Sequence, residues 1–291
     1  MSTPLNSEAL SLLEQSDAAF VLIHQATTAE TLGWPDSVEN PAALIERNRI
    51  IRPITGLLAL RARQAFENQR FDRGLKTIMT ALKVSRDAGQ MPNLMSQMIE
   101  AGTSRVAIEV MANILPSLPT ERLPRVATAL QTLPPSPSLS EALAGEYRHG
   151  TRLARRQAAD SQGNAAVGVM FNAYRELEPF FVELGKHSEV NPEEFSLLLD
   201  AEISDHYPSN VVVKGIAPML KHHHLQHTMV KTRWALFKAG LNYLLKGEAA
   251  ITENQAPAAA QPIQLELTEK GFRLVSHLSY RGTPVSLSFG E

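Results

Sequence analysis

Apolar residues recur with the period of an α-helix in the middle of the chain, and this pattern constrains the fold more than any other feature. It predicts three consecutive helices within residues 56–118, with breaks at Asn68-Gln69 and at 89–92. The apolar stripe of the second helix consists of Phe71, Leu75, Ile78, Met79 and Leu82. The apolar stripe of the third helix consists of Leu94, Met98, Ala101, Ile108, Met111 and Leu115. Because neither helix can bury its stripe alone, we expect the two to pack as an antiparallel hairpin.

Helix-start signals extend the same prediction to most of the first 250 residues. Asn40-Pro41 and Asn191-Pro192 each place a capping amide before a proline in the first turn, and Ser138 and Glu141 have the spacing of a capping box. Trp34 is expected to fill an edge of the core. The helices predicted outside the central stretch cover residues 7–25, 41–55 with a kink at Pro53, 120–133, 138–158, 167–185, 191–204 and 211–246.

The apolar period changes from helical to strand-like near the C-terminus. Residues 251–262 are rich in alanine and proline, which favours an extended linker. Beyond them, apolar residues alternate with polar ones in three short runs separated by turns at 269–271 and 281–284. We therefore predict a mainly α-helical body over residues 1–250, a linker over 251–262, and a three-stranded antiparallel meander over 263–291 that docks on the last helices.

The composition excludes several classes of function. The 291 residues include 28 Lys and Arg and 30 Asp and Glu, so the net charge of -2 provides no general attraction for nucleic acid. The absence of cysteine excludes disulfides, thiol nucleophiles and cysteine zinc sites. No apolar run is long enough to span a membrane, and the N-terminus does not have the pattern of a signal peptide. We expect a cytoplasmic protein, or an envelope or periplasmic protein whose natural leader or anchor is missing.

A run of histidines is the most conspicuous polar cluster. Residues 221–227 read KHHHLQH, and on a helix His223 and His227 lie one turn apart on the same face. Paired imidazoles at this spacing can bind zinc, copper or nickel, with Asp205 or His206 as a third ligand. A solvated helix turn is the simpler interpretation, because no H-E-x-x-H motif accompanies the run.

Other charged groups suggest weaker alternatives. A basic strip on the helix that begins at Ser138 could bind phosphate, but no aromatic residues for base stacking accompany it, and we predict no nucleic-acid partner. Acidic side chains between residues 176 and 194 could supply a carboxylate pair, although surface charge explains them equally well. No nucleophile-elbow, phosphate-loop or dinucleotide-binding motif is present. The basic strip consists of Arg148, His149, Arg152, Arg155 and Arg156.

Residues 58–86 resemble one tetratricopeptide-type helix pair, in which small residues let two helices approach closely. Arg61 and Arg86 depart from that pattern, since they stand where an apolar residue and a proline are usual. The positions that match are Ala62 and Ala65 in the first helix and Phe71, Gly74, Ile78 and Ala81 in the second.

A broader resemblance covers residues 55–155 and the C-terminal tail. LLALRARQAF, FDRGLKTIMTALKVSRDAGQ and the helices after them resemble a group of uncharacterised, envelope-associated bacterial proteins. In that group the chain ends in a pseudopilin-like helix and small sheet, to which KTRWALFKAGLNYLLKG and residues 263–289 would correspond. The resemblance implies a setting near a pilus or secretion assembly, and it supplies no catalytic residues.

These patterns favour a non-enzymatic interaction or scaffold protein with a protein partner and no cofactor. The alternative is a metal-binding protein or metal-dependent enzyme that uses His223 and His227. The first hypothesis follows from the helix-pair pattern and the lack of catalytic motifs, and exposed faces of stacked helix pairs commonly bind partners.

Overall fold

The computed structural model describes residues 5–28, 41–160, 172–252 and 262–290. Within these ranges the helices pack antiparallel and a small three-stranded sheet follows them, which confirms the predicted fold class. None of the helices in the described ranges is both long and apolar enough to cross a bilayer. Trp34 lies outside these ranges, so its predicted packing stays a prediction.

The elements follow in a simple order, and two short 3-10 turns at Leu115–Ser117 and Thr120–Arg122 lead into the sixth helix. The helices are α1 (Ser7–Gln15), α2 (Asp17–Ala26), α3 (Pro41–Glu67), α4 (Phe71–Gly89), α5 (Leu94–Ile114), α6 (Leu123–Gln131), α7 (Leu139–Asp160), α8 (Glu178–Lys186), α9 (Pro192–His206), α10 (Val211–Lys246) and α11 (Ala249–Thr252). The strands are β1 (Gln264–Leu267), β2 (Phe272–Tyr280) and β3 (Thr283–Phe289).

Two predicted helices are broken in the structure. The helix predicted over 7–25 divides at Ser16, whose hydroxyl donates back to the Leu12 carbonyl at 2.7 Å. The helix predicted to continue to Gly185 is interrupted before α8, because Pro179 has no N–H and its ring clashes with the preceding turn. By contrast, α3 continues through Pro53 and joins two segments that the sequence separated.

The central helices α3, α4 and α5 form the predicted antiparallel hairpins. Gly74 in α4 lies against the Phe66 ring of α3, where a Cβ atom would be 2.7 Å from the ring. The predicted stripes face the main apolar core, with Ile78 and Ile108 almost fully buried. In α5 the exceptions are Met98, which is 39% exposed, Ala101, which lines a cleft, and Leu94, which packs in a second core.

A second apolar core lies between α7, α8, α9 and the first half of α10. Phe180 and Phe181 are buried there and contact each other edge to face. Leu94, at the start of α5, also belongs to this second core. The two cores therefore meet along α5 and α10.

The C-terminal sheet packs its apolar face on α5 and α10. Its strands are ordered β1-β2-β3, and Phe272 pairs with Phe289 across the second ladder. Arg281 and Gly282 both have positive φ, as a tight two-residue hairpin turn requires. Leu267, at the end of the edge strand β1, is 76% exposed.

Candidate functional site

A cleft of about 530 Å³ opens between α4, α5 and α10, and we call it the Trp234 cleft. This volume lies within the range of about 300–1,000 Å³ that is usual for ligand pockets. Arg86 of α4, Gln97 and Glu100 of α5, and the turn before α7 line one side. One face of α10 lines the other side, with side chains at intervals of three and four residues: His227, Val230, Lys231, Trp234, Ala235 and Lys238.

The turn that closes the cleft is held by α5 and by the start of α7. The Gln97 amide nitrogen donates to the carbonyls of Pro137 and Ser138, each at 2.9 Å. Ser138 and Glu141 form the predicted capping box, because the Ser138 amide donates to the Glu141 carboxylate at 2.7 Å and the Glu141 amide donates to the Ser138 hydroxyl at 3.1 Å. The Ser138 amide and the Ser138 hydroxyl both donate to the Glu141 carboxylate, and these two bonds lower the pKa of Glu141 below its usual range.

Most of the charges in the cleft are paired with one another. Arg86 forms an ion pair with Glu100, which is buried and also accepts a hydrogen bond from the Ser136 hydroxyl. Burial raises the pKa of Glu100, and the Arg86 charge partly offsets this rise. Lys231 pairs with Glu189. Lys238 is exposed and has no acidic partner among the described residues, so the cleft carries one uncompensated positive charge.

Three buried polar atoms of the lining residues have no hydrogen-bond partner among the described residues. They are the donors Arg86 Nε and Trp234 Nε1 and the acceptor Gln97 Oε1. Leaving such an atom unpaired costs about 1–3 kcal/mol, and native proteins pair most of them with protein or water. Each of these atoms is itself covered, so a ligand that offers both an acceptor and a donor pairs with them only when the lining side chains move apart.

The histidine run places its side chains in three different environments. His223 is buried and its Nε2–H donates to the Leu94 carbonyl at 3.0 Å, while His224 stacks on Phe195 at 3.9 Å between ring centroids. His227 lines the Trp234 cleft. Burial lowers the pKa of His223 and of His224 to about 4 and that of His227 to about 3, so all three imidazoles are neutral at physiological pH.

The proposed metal ligands do not form a cluster within the described parts of the chain. His223 uses Nε2 for Leu94, and Lys231 adds a positive charge beside His227. The candidate third ligands Asp205 and His206 lie at the exposed end of α9. No group of three or more potential ligands is found among the described residues, so the metal hypothesis stays a prediction without a described third ligand.

The basic strip lies along α7, as the sequence predicted. Arg148, Arg152 and Arg155 are exposed, and His149 is half-buried. The acidic residues that the sequence offered as a carboxylate pair have separate roles: Glu183 pairs with Lys186, and Glu189 pairs with Lys231 in the cleft.

Sequence reasoning did not find the Trp234 cleft. It predicted residues 211–246 only as a helix, and it treated α5 only as an amphipathic helix. The sequence did contain one indication of the cleft, because Gln97 and Glu100 are polar residues three positions apart on a helix face that packs inward. In the structure both residues are only 5% exposed.

We compared the chain with protein-family models, curated protein sequences and solved structures, and none of them matches it. The functional proposal therefore depends on the geometry of the cleft and on the sequence patterns.

Proposed function

We propose that this protein is a non-enzymatic interaction or scaffold protein that holds a segment of a partner protein in the Trp234 cleft. The observation that carries the proposal is the set of unpartnered atoms Arg86 Nε, Trp234 Nε1 and Gln97 Oε1. A peptide main chain supplies carbonyl acceptors and amide donors side by side. The two unpartnered donors and the one unpartnered acceptor need these groups as hydrogen-bond partners. Trp and Arg side chains are also the ones that most often dominate binding energy at protein interfaces.

The charge of the cleft indicates the chemistry of the partner segment. Arg86 and Lys231 are neutralised by Glu100 and Glu189, whereas Lys238 has no acidic partner among the described residues. A carboxylate on the partner would pair with Lys238 without displacing an internal contact. We therefore propose a segment with at least one acidic side chain.

The cellular setting is a separate part of the proposal. We propose that the protein acts in the bacterial cell envelope, near a pilus-like or secretion assembly. The support for this setting is the resemblance of residues 55–155 and of the C-terminal tail to envelope-associated helical proteins, together with the tetratricopeptide-like helix pair at residues 58–86.

Selection from a random peptide library displayed on phage, followed by affinity measurement, tests the cleft. Lys238→Glu should weaken binding of a selected peptide about tenfold, which corresponds to ~1.4 kcal/mol. Ala235→Trp places a large side chain in the cleft and should abolish binding. Lys246→Glu is the matched control, because Lys246 is an exposed lysine of α10 that does not line the cleft.

The control variant should bind as tightly as the unchanged protein, and circular dichroism should show that all three variants are folded. Selection that returns no binding peptide, or peptides that bind equally well to Ala235→Trp, would contradict the proposal.

A further inference from the structure

A second cavity, of about 420 Å³, lies between α2, α3 and α4, and we call it the α2–α4 cavity. Among the described residues, it shares no lining residue with the Trp234 cleft. Its walls combine an apolar part with a cluster of cations. The apolar part consists of Phe20, Val21 and Leu58, and the cations are Arg61, Arg73 and Lys76.

One of the three cations is fixed in place. The Arg61 side chain is only 13% exposed, pairs with Asp17, and lies over the Phe20 ring at 5.0 Å from its centroid. Asp17 is the one acidic residue among the lining residues that the structure describes, and it is engaged with Arg61. Arg73 and Lys76 are exposed and have no acidic partner among the described residues.

The remaining titratable group of the lining adds no charge. His24 forms a hydrogen bond with Thr80 at 3.3 Å, and burial together with the nearby Lys76 lowers the pKa of His24 below its usual range. A smaller neighbouring cavity, of about 170 Å³, shares Arg61 and Arg73 and adds Arg70. The region is therefore positively charged, although the whole chain has a net charge of -2.

The apolar lining residues differ in how far they are exposed. Leu58 is only 2% exposed, and Val21 is 56% exposed. An inorganic anion would neutralise Arg73 and Lys76 but leave the exposed Val21 side chain in water. An uncharged apolar molecule would cover this side chain but leave the cations without a counter-ion.

We propose that the α2–α4 cavity binds an amphiphilic organic anion, in which a carboxylate or phosphate group is attached to an apolar chain. Arg73 and Lys76 hold the anionic group by charge-assisted hydrogen bonds. The apolar chain lies against Phe20, Val21 and Leu58. This proposal is independent of the Trp234 cleft and of the peptide proposed to bind there.

A fluorescent fatty acid, dansyl-labelled undecanoate, tests the proposal on the full chain. The probe should bind saturably below its micelle-forming concentration, and decanoate and decyl phosphate should displace it. Decanol and inorganic phosphate should not displace it at the same concentrations. Displacement by decanol as effective as that by decanoate would overturn the role of the anionic group, and displacement by inorganic phosphate alone would overturn the role of the apolar chain.

Charge-reversed variants locate the site. The double variant Arg73→Glu with Lys76→Glu should weaken probe binding more than tenfold, because it removes two charge-assisted contacts. The matched control, Lys214→Glu with Lys246→Glu, makes the same change of net charge at two exposed lysines of α10 and should bind the probe normally. Equal loss in the control would overturn the assignment to this cavity.

A membrane that contains anionic lipids also presents anionic groups attached to apolar chains, so membrane binding is the competing explanation. Vesicles that contain an anionic phospholipid should not retain the protein more than neutral vesicles do. Retention on anionic vesicles without any saturable binding of the monomeric probe would overturn the proposal in favour of peripheral membrane binding.

Discussion

At the scale of single residues, Leu94 is held from two sides by polar groups of other helices. His223 of α10 donates to the Leu94 carbonyl at 3.0 Å, and the Glu146 carboxylate of α7 accepts from the Leu94 amide at 3.2 Å. The Leu94 side chain meanwhile packs in the second core. These contacts fix the start of α5 against both α7 and α10.

The neutral state of His223 makes stability depend on pH. Burial lowers the pKa of His223 from 6.5 to about 4, so the folded chain binds fewer protons than the unfolded chain between these values. The free energy of unfolding should therefore fall as the pH drops from about 6.5 to about 4, by about 3 kcal/mol for this residue, and then level off. Urea unfolding at a series of pH values measures this change.

Two glutamine variants test whether His223, rather than another histidine, causes this pH dependence of stability. His223→Gln keeps an N–H donor for Leu94 but cannot titrate, so it should lose less stability in acid than the unchanged chain does. His277→Gln changes an exposed histidine of β2, outside the histidine run, and should keep the original pH dependence. An unaltered acid dependence in His223→Gln would show that His223 is not the group responsible.

The sequence could predict the histidine run but not its environment. Spacing alone places His223 and His227 on one helical face, and the structure confirms that both lie on α10. Which helices cover that face depends on contacts with α5 and α9, far away in the chain. The burial and neutrality of these side chains therefore could not be inferred from their spacing.

At the scale of elements, two of the capping signals in the sequence mark helix starts in the structure. Asn191 accepts a hydrogen bond from the Glu194 amide at 2.9 Å, and the Ser138 capping box begins α7. The break at Ser16 and the interruption before Pro179 were not predicted, since the apolar period continues across both positions. The period of apolar residues reports burial of one face, and it is insensitive to a single broken turn.

Two glycines of α10 provide a matched test of how the sheet docks. A Cβ atom at Gly240 would lie 2.1 Å from the Phe289 ring, whereas one at the exposed Gly215 would meet nothing within 4 Å. Gly240→Ala should lower the free energy of unfolding by about 1–3 kcal/mol because the ring must move. Gly215→Ala should raise it by up to about 1 kcal/mol, since alanine is the better helix former.

Thermal and urea unfolding of the two variants measure these effects. A Gly240→Ala variant as stable as Gly215→Ala would mean that β3 does not pack on α10 at this point.

At the scale of the whole molecule, contacts between helices that are distant in the chain create the candidate site. The hairpins of α3, α4 and α5 could be predicted because their partners are adjacent in sequence. The packing of α10 against α5 joins residues more than a hundred positions apart, as in the bond between His223 and Leu94. The Trp234 cleft lies at this junction, so the polar pair Gln97 and Glu100 in α5 could not by itself show which helix forms the opposite wall.

The indole N–H resonance of Trp234 tests the central claim most directly. In a Trp34→Phe variant, Trp234 is the only remaining tryptophan, because the chain contains two. Titration with a peptide selected on the unchanged protein should shift this resonance saturably, with one peptide per chain, as the unpartnered N–H gains an acceptor. Tight binding of the peptide that leaves the Trp234 resonance unchanged would contradict the assignment of the cleft as the partner site.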